Sequence, residues 1–396
     1  MLELTKHPSL KYFLFGTLYS AEGLIFALTT VIIVLFFTEK NISIEITTLV
    51  GGIASAPWML KFIFGPTIDF FGKYGRKFFC VIGGIIGAIS VFIVAFVDPK
   101  TSVIPFTALL FIGHLGVVLL DVSADAWAIQ TTKINARGKV NAAMYIGLFL
   151  GMALGGILFA CIATFYGFEI VYITGGFLIF SSIILALFVK EHKIVIKRKL
   201  IKTLLIKEFK KKNTLIILLF SILVAMNFGM LLFVIPEYMR NVLLLDKIQT
   251  GLLAAINPIS IVIGAVIGGY VSDKWGRKKI LYVTLVALMI SSALLVTANT
   301  WEKLAIIYSI IGFLTGASLY SAAGALLWDV TNPKIGGTQY SFLTSIANFG
   351  ELGIAMISGS LLVFLGYNRF FLYTALIVGV SLLILYFVKE TLNKNT

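Results

Sequence analysis

Charge is scarce in this chain. Of its 396 residues only 13% are Asp, Glu, Lys or Arg, and 59% are apolar. A soluble domain carries about 25% charged and 45–50% apolar residues. The shortage excludes a water-facing surface of the size a soluble enzyme of this length requires. Cysteine is nearly absent too. Cys80 and Cys161 both stand in apolar runs, so neither a disulfide framework nor a thiolate metal site follows. The glycine-rich stretch Gly83–Ser90 lacks the Gly-Lys-Ser/Thr that would hold phosphates, which argues against ATP as an energy source. No cluster of nucleophiles or metal ligands is evident, so neither an enzyme nor a cofactor is expected.

What the chain does have is Phe (33) and Gly (36), an excess typical of membrane helices. A span needs about 20 apolar residues. Twelve runs qualify. The first six lie near 12–36, 46–68, 78–97, 104–126, 140–163 and 169–189; the second six near 214–236, 247–271, 280–298, 303–328, 339–364 and 370–388. The first run ends without a small-residue cleavage site and is expected to stay as a span. The expected fold is an all-α membrane protein, with one six-helix bundle over 1–189 and another over 214–396. Between them, residues 190–213 hold ten Lys or Arg and two Glu, with apolar residues interleaved. This reads as an amphipathic helix lying on the cytoplasmic membrane surface, or else as a simple basic linker.

The basic residues also set orientation. With both termini in the cytoplasm, 25 Lys or Arg fall on the cytoplasmic side and six on the other: Lys40, Lys100, Arg240, Lys247, Lys303 and Arg369. Cytoplasmic loops carry the excess of basic residues, so this orientation is expected. The formal net charge of +14 is therefore a topological signal, and no nucleic-acid partner is implied.

One spacing recurs. Gly65 and Gly269, Asp69 and Asp273, Asp125 and Asp329, and Gly155 and Gly359 are each 204 residues apart. Arg76 and Arg277 match after allowing three extra residues in the first loop. A single offset joining equivalent places in two six-span halves implies a duplication, with a pseudo-twofold axis along the membrane normal. Glycine at a helix end lets a neighbour approach. The Asp there can accept from exposed amides of another helix. Arg76 is expected to reach Asp125, and Arg277 to reach Asp329, as a cytoplasmic latch made twice; the plainer alternative is a tight basic turn.

These residues resemble the signature of the major facilitator superfamily, Gly, three residues, Asp, then a basic turn ending Gly-Arg-Lys. The first copy is Gly65, Asp69, Gly75, Arg76 and Lys77; the second is Gly269, Asp273, Gly276, Arg277 and Lys278. The resemblance implies twelve helices in two bundles, and secondary transport of a small organic solute by alternating access. It implies a solute and membrane lipids as partners, a monomer, and, on a finer likeness, a prokaryotic inner membrane. That finer likeness links Asp121, Asp125, Ala126 and Trp127, with Pro57, Trp58, Lys61 and Pro66, to the branch of muropeptide permeases and acetyl-coenzyme A transporters. It suggests an organic solute, often anionic. A lipid flippase or scramblase, or an uncoupled uniporter, is the competing reading on the same fold.

Ionisable groups inside spans are expensive and so are functional candidates. Glu22 lies roughly 16 Å into span one and Lys61 roughly 12 Å from the cytoplasmic edge of span two, at 1.5 Å per residue. The resemblance places spans one, two and eleven around the solute cavity, so Glu22 is expected to pair with Lys61. Lys61 is alternatively the counter-charge for an anionic solute. Glu351, in span eleven, has no basic partner within a span; it and Glu22 are the candidates for coupling to a proton gradient. His114, Asp121 and Asp125 share one helical face. His114 reads as a hydrogen-bonding residue or a relay. Tyr19, Asn141, Tyr145, Asn227, Asn257 and Asn348 are candidates for the lining, with interhelical glue as the alternative. Trp127 is expected at the membrane interface. Gly147, Gly151 and Gly155 form a close-packing face that partly resembles the superfamily's antiporter motif. Met152 stands where that motif has Pro, which argues against drug–proton antiport.

Overall fold

Residues 8–71, 74–132, 137–191, 206–331 and 336–389 are described by a computed structural model; the side chains of 8, 69, 70, 137, 138, 336 and 337 lie outside the description. The spans are helices, and most outrun their apolar cores: Ser9–Glu39, Ile44–Ile68, Arg76–Val94, Val103–Thr131, Lys139–Phe165, Phe168–Phe188, Lys212–Asn241, Lys247–Trp275, Arg277–Thr297 and Trp301–Asp329 are spans one to ten. The last run, Thr338–Phe387, has 50 residues. A straight helix of that length would measure about 75 Å, more than twice a hydrocarbon core of about 30 Å. Gly366, at φ 71° and ψ 162°, breaks it into spans eleven and twelve. Only glycine takes that backbone without strain.

By contact the chain forms two compact units. The first gathers Met1–Ile196 with Ile235–Pro258, and the second gathers Lys197–Val234 with Ile259–Thr396. The connection between spans seven and eight thus belongs to the first unit. Lys247 pairs with Glu39, and its ammonium lies 4.7 Å from the centre of the Phe168 ring. Glu237 accepts from Thr38 Oγ1 at 3.4 Å and from Asn241.

Within each unit, glycines bring helix backbones into contact. A Cβ on Gly147 would stand 2.0 Å from the Gly16 carbonyl oxygen, and one on Gly151 would stand 2.6 Å from that of Ser20. Spans one and five therefore touch along the glycine face legible in the sequence. Spans seven and eleven repeat this in the second unit, where a Cβ on Gly229 would be 2.0 Å from the Glu351 carbonyl oxygen. Such close approach is how helices hold together where lipid removes the hydrophobic drive between them.

Two local departures from the α-helix shape the first unit's interior. Leu28–Ile32 is a π-helical turn. There Thr29 and Thr30 donate to the carbonyls of Ile25 (2.9 Å) and Phe26 (2.7 Å). Ala56–Leu60 is a 3₁₀ turn with Pro57 in its first residues. Proline has no N–H for the α-helical ladder, and the chain winds tighter there.

Candidate functional site

The two Gly-Arg-Lys turns use the same backbone. Gly75 and Gly276 each precede a helix at φ 92°, a region costly to residues with a Cβ. The lysines are used alike. Lys77 Nζ donates to the carbonyls of Leu187 (2.7 Å) and Val189 (2.8 Å), and Lys278 Nζ to those of Tyr386 (2.9 Å) and Val388 (2.8 Å). Each lysine thereby caps the open carbonyls at the end of its unit's sixth helix, where a cation also meets the helix dipole favourably.

The arginines differ. Arg277 pairs with Asp329 and donates to the Ala325 carbonyl at 2.9 Å, as expected. Arg76 does not pair with Asp125. Its main-chain N–H donates to Glu191 Oε1 at 2.6 Å, and the Lys77 N–H to Glu191 Oε2 at 3.0 Å. With the Gln130 amide turned oxygen-first, that oxygen accepts from the Arg76 guanidinium at 3.0–3.2 Å. The reason is competition: Asp125 is taken by the Tyr19 hydroxyl, and Glu191 supplies the carboxylate at the helix N-terminus. Gly65 is half-buried, Asp273 is exposed, and a Cβ on Gly269 would sit 3.3 Å from Ser321 Oγ. The Asp69 side chain and linker residues 192–205 lie outside the described residues.

Inside the first unit the expected Glu22–Lys61 pair is replaced. Lys61 Nζ lies 2.5 Å from Asp121 Oδ2, with Asp121 1% exposed and Lys61 14%. Glu22 is buried, and both it and Asp125 lie within electrostatic reach of the ammonium. Asp121 wins because it faces Lys61 directly from span four, and the pairing also relieves its repulsion with Asp125 one turn on. Three carboxyl groups thus surround one ammonium.

Beside them lies a neutral network. Trp58 Nε1–H donates to His114 Nδ1 at 2.8 Å, and His114 Nε2 is 3.1 Å from Thr29 Oγ1. Nδ1 accepts from the indole, so in the neutral ring Nε2 carries the hydrogen. Thr29 Oγ1 can accept it because its own hydrogen goes to the Ile25 carbonyl. His114 is fully buried. The Lys61 ammonium lies 4.9 Å from the Trp58 ring centre. Trp127, expected at the interface, is instead fully buried and meets Phe15 edge-to-face with ring centres 5.7 Å apart. Asn141 is exposed, and half-buried Tyr145 stacks on Phe149.

In the second unit Asn227 Nδ2 donates to Ser292 Oγ (3.1 Å) and to the Thr374 carbonyl (3.4 Å), tying three helices together. Asn348 of this unit is half-buried, and Asn257, in the stretch of span eight that belongs to the first unit, is buried. Half-buried Glu351 makes no ion pair or hydrogen bond among the described residues.

The family model described as Major Facilitator Superfamily matches residues 14–224 and 217–396. The chain belongs to the Major Facilitator Superfamily. It is a multi-pass membrane transporter and not an enzyme. It is 24% identical over 394 residues to the Rickettsia conorii protein AmpG 1, covering 90% of this chain and 93% of that one. It is 22% identical over 394 residues to the anhydromuropeptide permease of Escherichia coli, covering 94% of this chain and 78% of that one. Its fold is that of a crystallised D-xylose–proton symporter, with a TM-score of 0.76, 18% identity and 98% of each chain covered.

For a superfamily transporter the sequence reading missed several partners: Glu191, Gln130, and the carbonyls held by Lys77 and Lys278. One signal was present. The triplet Val-Lys-Glu closes both halves, at 189–191 and at 388–390. Nothing in the sequence signals the Trp58–His114 bond, because 56 residues separate the two.

Proposed function

We propose that the chain is a proton-coupled secondary transporter of an organic solute with anionic groups, working by alternating access. Its termini face the cytoplasm, as the excess of basic residues on that side favours. The observation that carries the coupling is the buried Lys61–Asp121 pair with Glu22 and Asp125 at hand. One ammonium cannot neutralise both Asp121 and Asp125, and uncompensated charge inside a bilayer is expensive. The cluster is therefore a place to hold protons. A proton arriving on Asp121 dissolves the ion pair and frees the Lys61 ammonium for a carboxylate on the solute. Solute and proton then bind together. In the second unit, Glu351 has no ion-pair partner among the described residues to give up and is the second candidate carrier. The name of the Escherichia coli relative supports a sugar–peptide solute.

The test is solute-dependent alkalinisation of the medium around liposomes that hold the purified protein, screened with anhydromuropeptides and simpler anionic sugars. The wild type is expected to take up protons with solute. Asp121→Asn is expected to bind solute while moving no proton, and Lys61→Ala to lose solute uptake. Uptake by the wild type without any pH change would sink the coupling and leave a uniporter.

A further inference from the structure

The Trp58–His114 pair has no place in the transport reading so far, yet it adjoins the Lys61 ammonium. Pro57 tightens the chain of span two into a 3₁₀ turn over Ala56–Leu60. Side chains at i and i+3 eclipse in such a turn. Trp58 and Lys61 are related in that way, and the ammonium comes to 4.9 Å from the indole centre. A cation above an indole face is attracted by the ring quadrupole, the more so where water is excluded.

The direction of that face is fixed from behind. The indole N–H is held by His114 Nδ1 at 2.8 Å, the His114 ring by Thr29 Oγ1 at 3.1 Å, and Thr29 by the Ile25 carbonyl at 2.9 Å. Phe26 packs on both rings, with centres 5.3 Å from Trp58 and 5.4 Å from His114. The π-helical turn at Leu28–Ile32 carries Thr29. One line of contacts thus runs from an irregular turn in span one, through His114 of span four, to Lys61 of span two.

We propose that His114 is a positioning residue: through Trp58 it aims the Lys61 ammonium at Asp121 and away from Glu22 and Asp125. This inference rests on the transport reading for its purpose, but the placement itself can be measured without any solute. His114 touches neither Lys61 nor a carboxylate in this arrangement, and its two ring nitrogens are both engaged.

The experiment is acetylation of the purified protein in lipid nanodiscs by acetic anhydride. Modification at Lys61 is counted by peptide mass spectrometry, with exposed Lys274 as internal standard. Lys61 is expected to react slowly in the wild type. In His114→Leu and Trp58→Leu its rate should rise roughly 3- to 10-fold, the range set by losing a buried cation–π contact. Trp58→Phe keeps a ring and loses the N–H, so it should fall between. His114→Gln presents an amide oxygen to the indole N–H and should restore the slow rate. A wild-type rate in both His114→Leu and Trp58→Phe, with normal melting, would overturn the proposal and make His114 a packing residue. So would failure of His114→Gln to protect Lys61 in a normally melting protein. If His114→Leu does not fold, the opposed results for His114→Gln and Trp58→Phe still decide. Because no solute enters, this outcome stands apart from any failure of uptake.

Discussion

The two units carry one turn and use it differently. In both, a glycine at φ 92° starts the helix and a lysine caps the end of the sixth helix of its half. The backbone device is the same in both halves. The acid at the end of the fourth helix has not kept its role. Asp329 of the second unit stays on the latch with Arg277. Asp125 of the first has turned inward to Tyr19, and Glu191 and Gln130 serve Arg76 in its place. Backbone geometry is constrained by the turn itself, whereas a carboxylate can be exchanged for any other that reaches. The exchange leaves the first unit with an extra acid in its interior, close to the Lys61–Asp121 pair. The transport reading depends on that asymmetry.

The sharpest way to break the comparison is to cut the ion pair of each unit. Lys61 and Asp121 are 14% and 1% exposed, while Arg277 and Asp329 are each 19% exposed. Removing one partner of a buried pair strands the other charge, at a cost of about 3–5 kcal/mol. Lys61→Ala should therefore lower thermal stability strongly, and Lys61→Ala with Asp121→Asn should recover most of the loss. Arg277→Ala and Asp329→Asn should cost about 1 kcal/mol each, the scale of a partly solvated pair. Melting curves in detergent for the two double-mutant cycles check this. Equal coupling energies would erase the distinction drawn here between an interior pair and a latch.

A smaller effect tests what the two turns share. Gly75→Ala and Gly276→Ala should each cost about 1–2 kcal/mol, because a left-handed backbone brings Cβ against the carbonyl. Gly75→Ala should cost more, since its Cβ would stand 2.4 Å from Glu191 Oε2. Adding Glu191→Ala should remove that excess and bring the two substitutions level. If Gly75→Ala still costs more in the Glu191→Ala background, the carboxylate is not what crowds it.

Span number, the glycine face of span five and the second latch were legible in the sequence, because each rests on local periodicity or on a repeated spacing. Thr338–Phe387 shows why length alone falls short: a single turn at Gly366 separates two spans that an uninterrupted helical ladder would merge. The interior was half legible. Glu22, Lys61 and Asp121 announce themselves as charges in apolar runs. Their pairing does not, because it depends on which helix faces arrive together. Spacing alone pointed Lys61 to Glu22 and did not offer Asp121 as its partner, and the 3₁₀ turn after Pro57 sets where the ammonium emerges. Neutral groups were the least legible. Nothing about a lone His or a Trp in a hydrophobic run tells which of them faces the other.

The smallest expected effect lies at the turns between spans three and four and between spans nine and ten, where the units differ again. In the first unit Asp98 Oδ1 accepts from the Lys100 N–H at 3.0 Å, and Oδ2 lies 3.2 Å from Lys40 Nζ. In the second, Thr300 caps its helix by accepting from the Lys303 N–H at 3.4 Å. The amide of Lys100, then the ammonium of Lys40, hold the Asp98 carboxyl below its ordinary value. A carboxyl whose folded value is depressed contributes stability above its unfolded value of about 3.9, and the contribution is lost as pH falls through the folded value. Asp98→Asn should therefore lower the melting temperature slightly at neutral pH, and the difference from wild type should close as the pH falls below the ordinary carboxylate range. Thr300→Ala removes a neutral cap, so its small cost should not change over the same range. Asp98 is 44% exposed, and salt should shrink its effect further. A pH-independent Asp98→Asn difference would mean that the turn is held by its hydrogen-bond geometry alone, and that charge at these turns sets the two units apart less than charge in their interiors does.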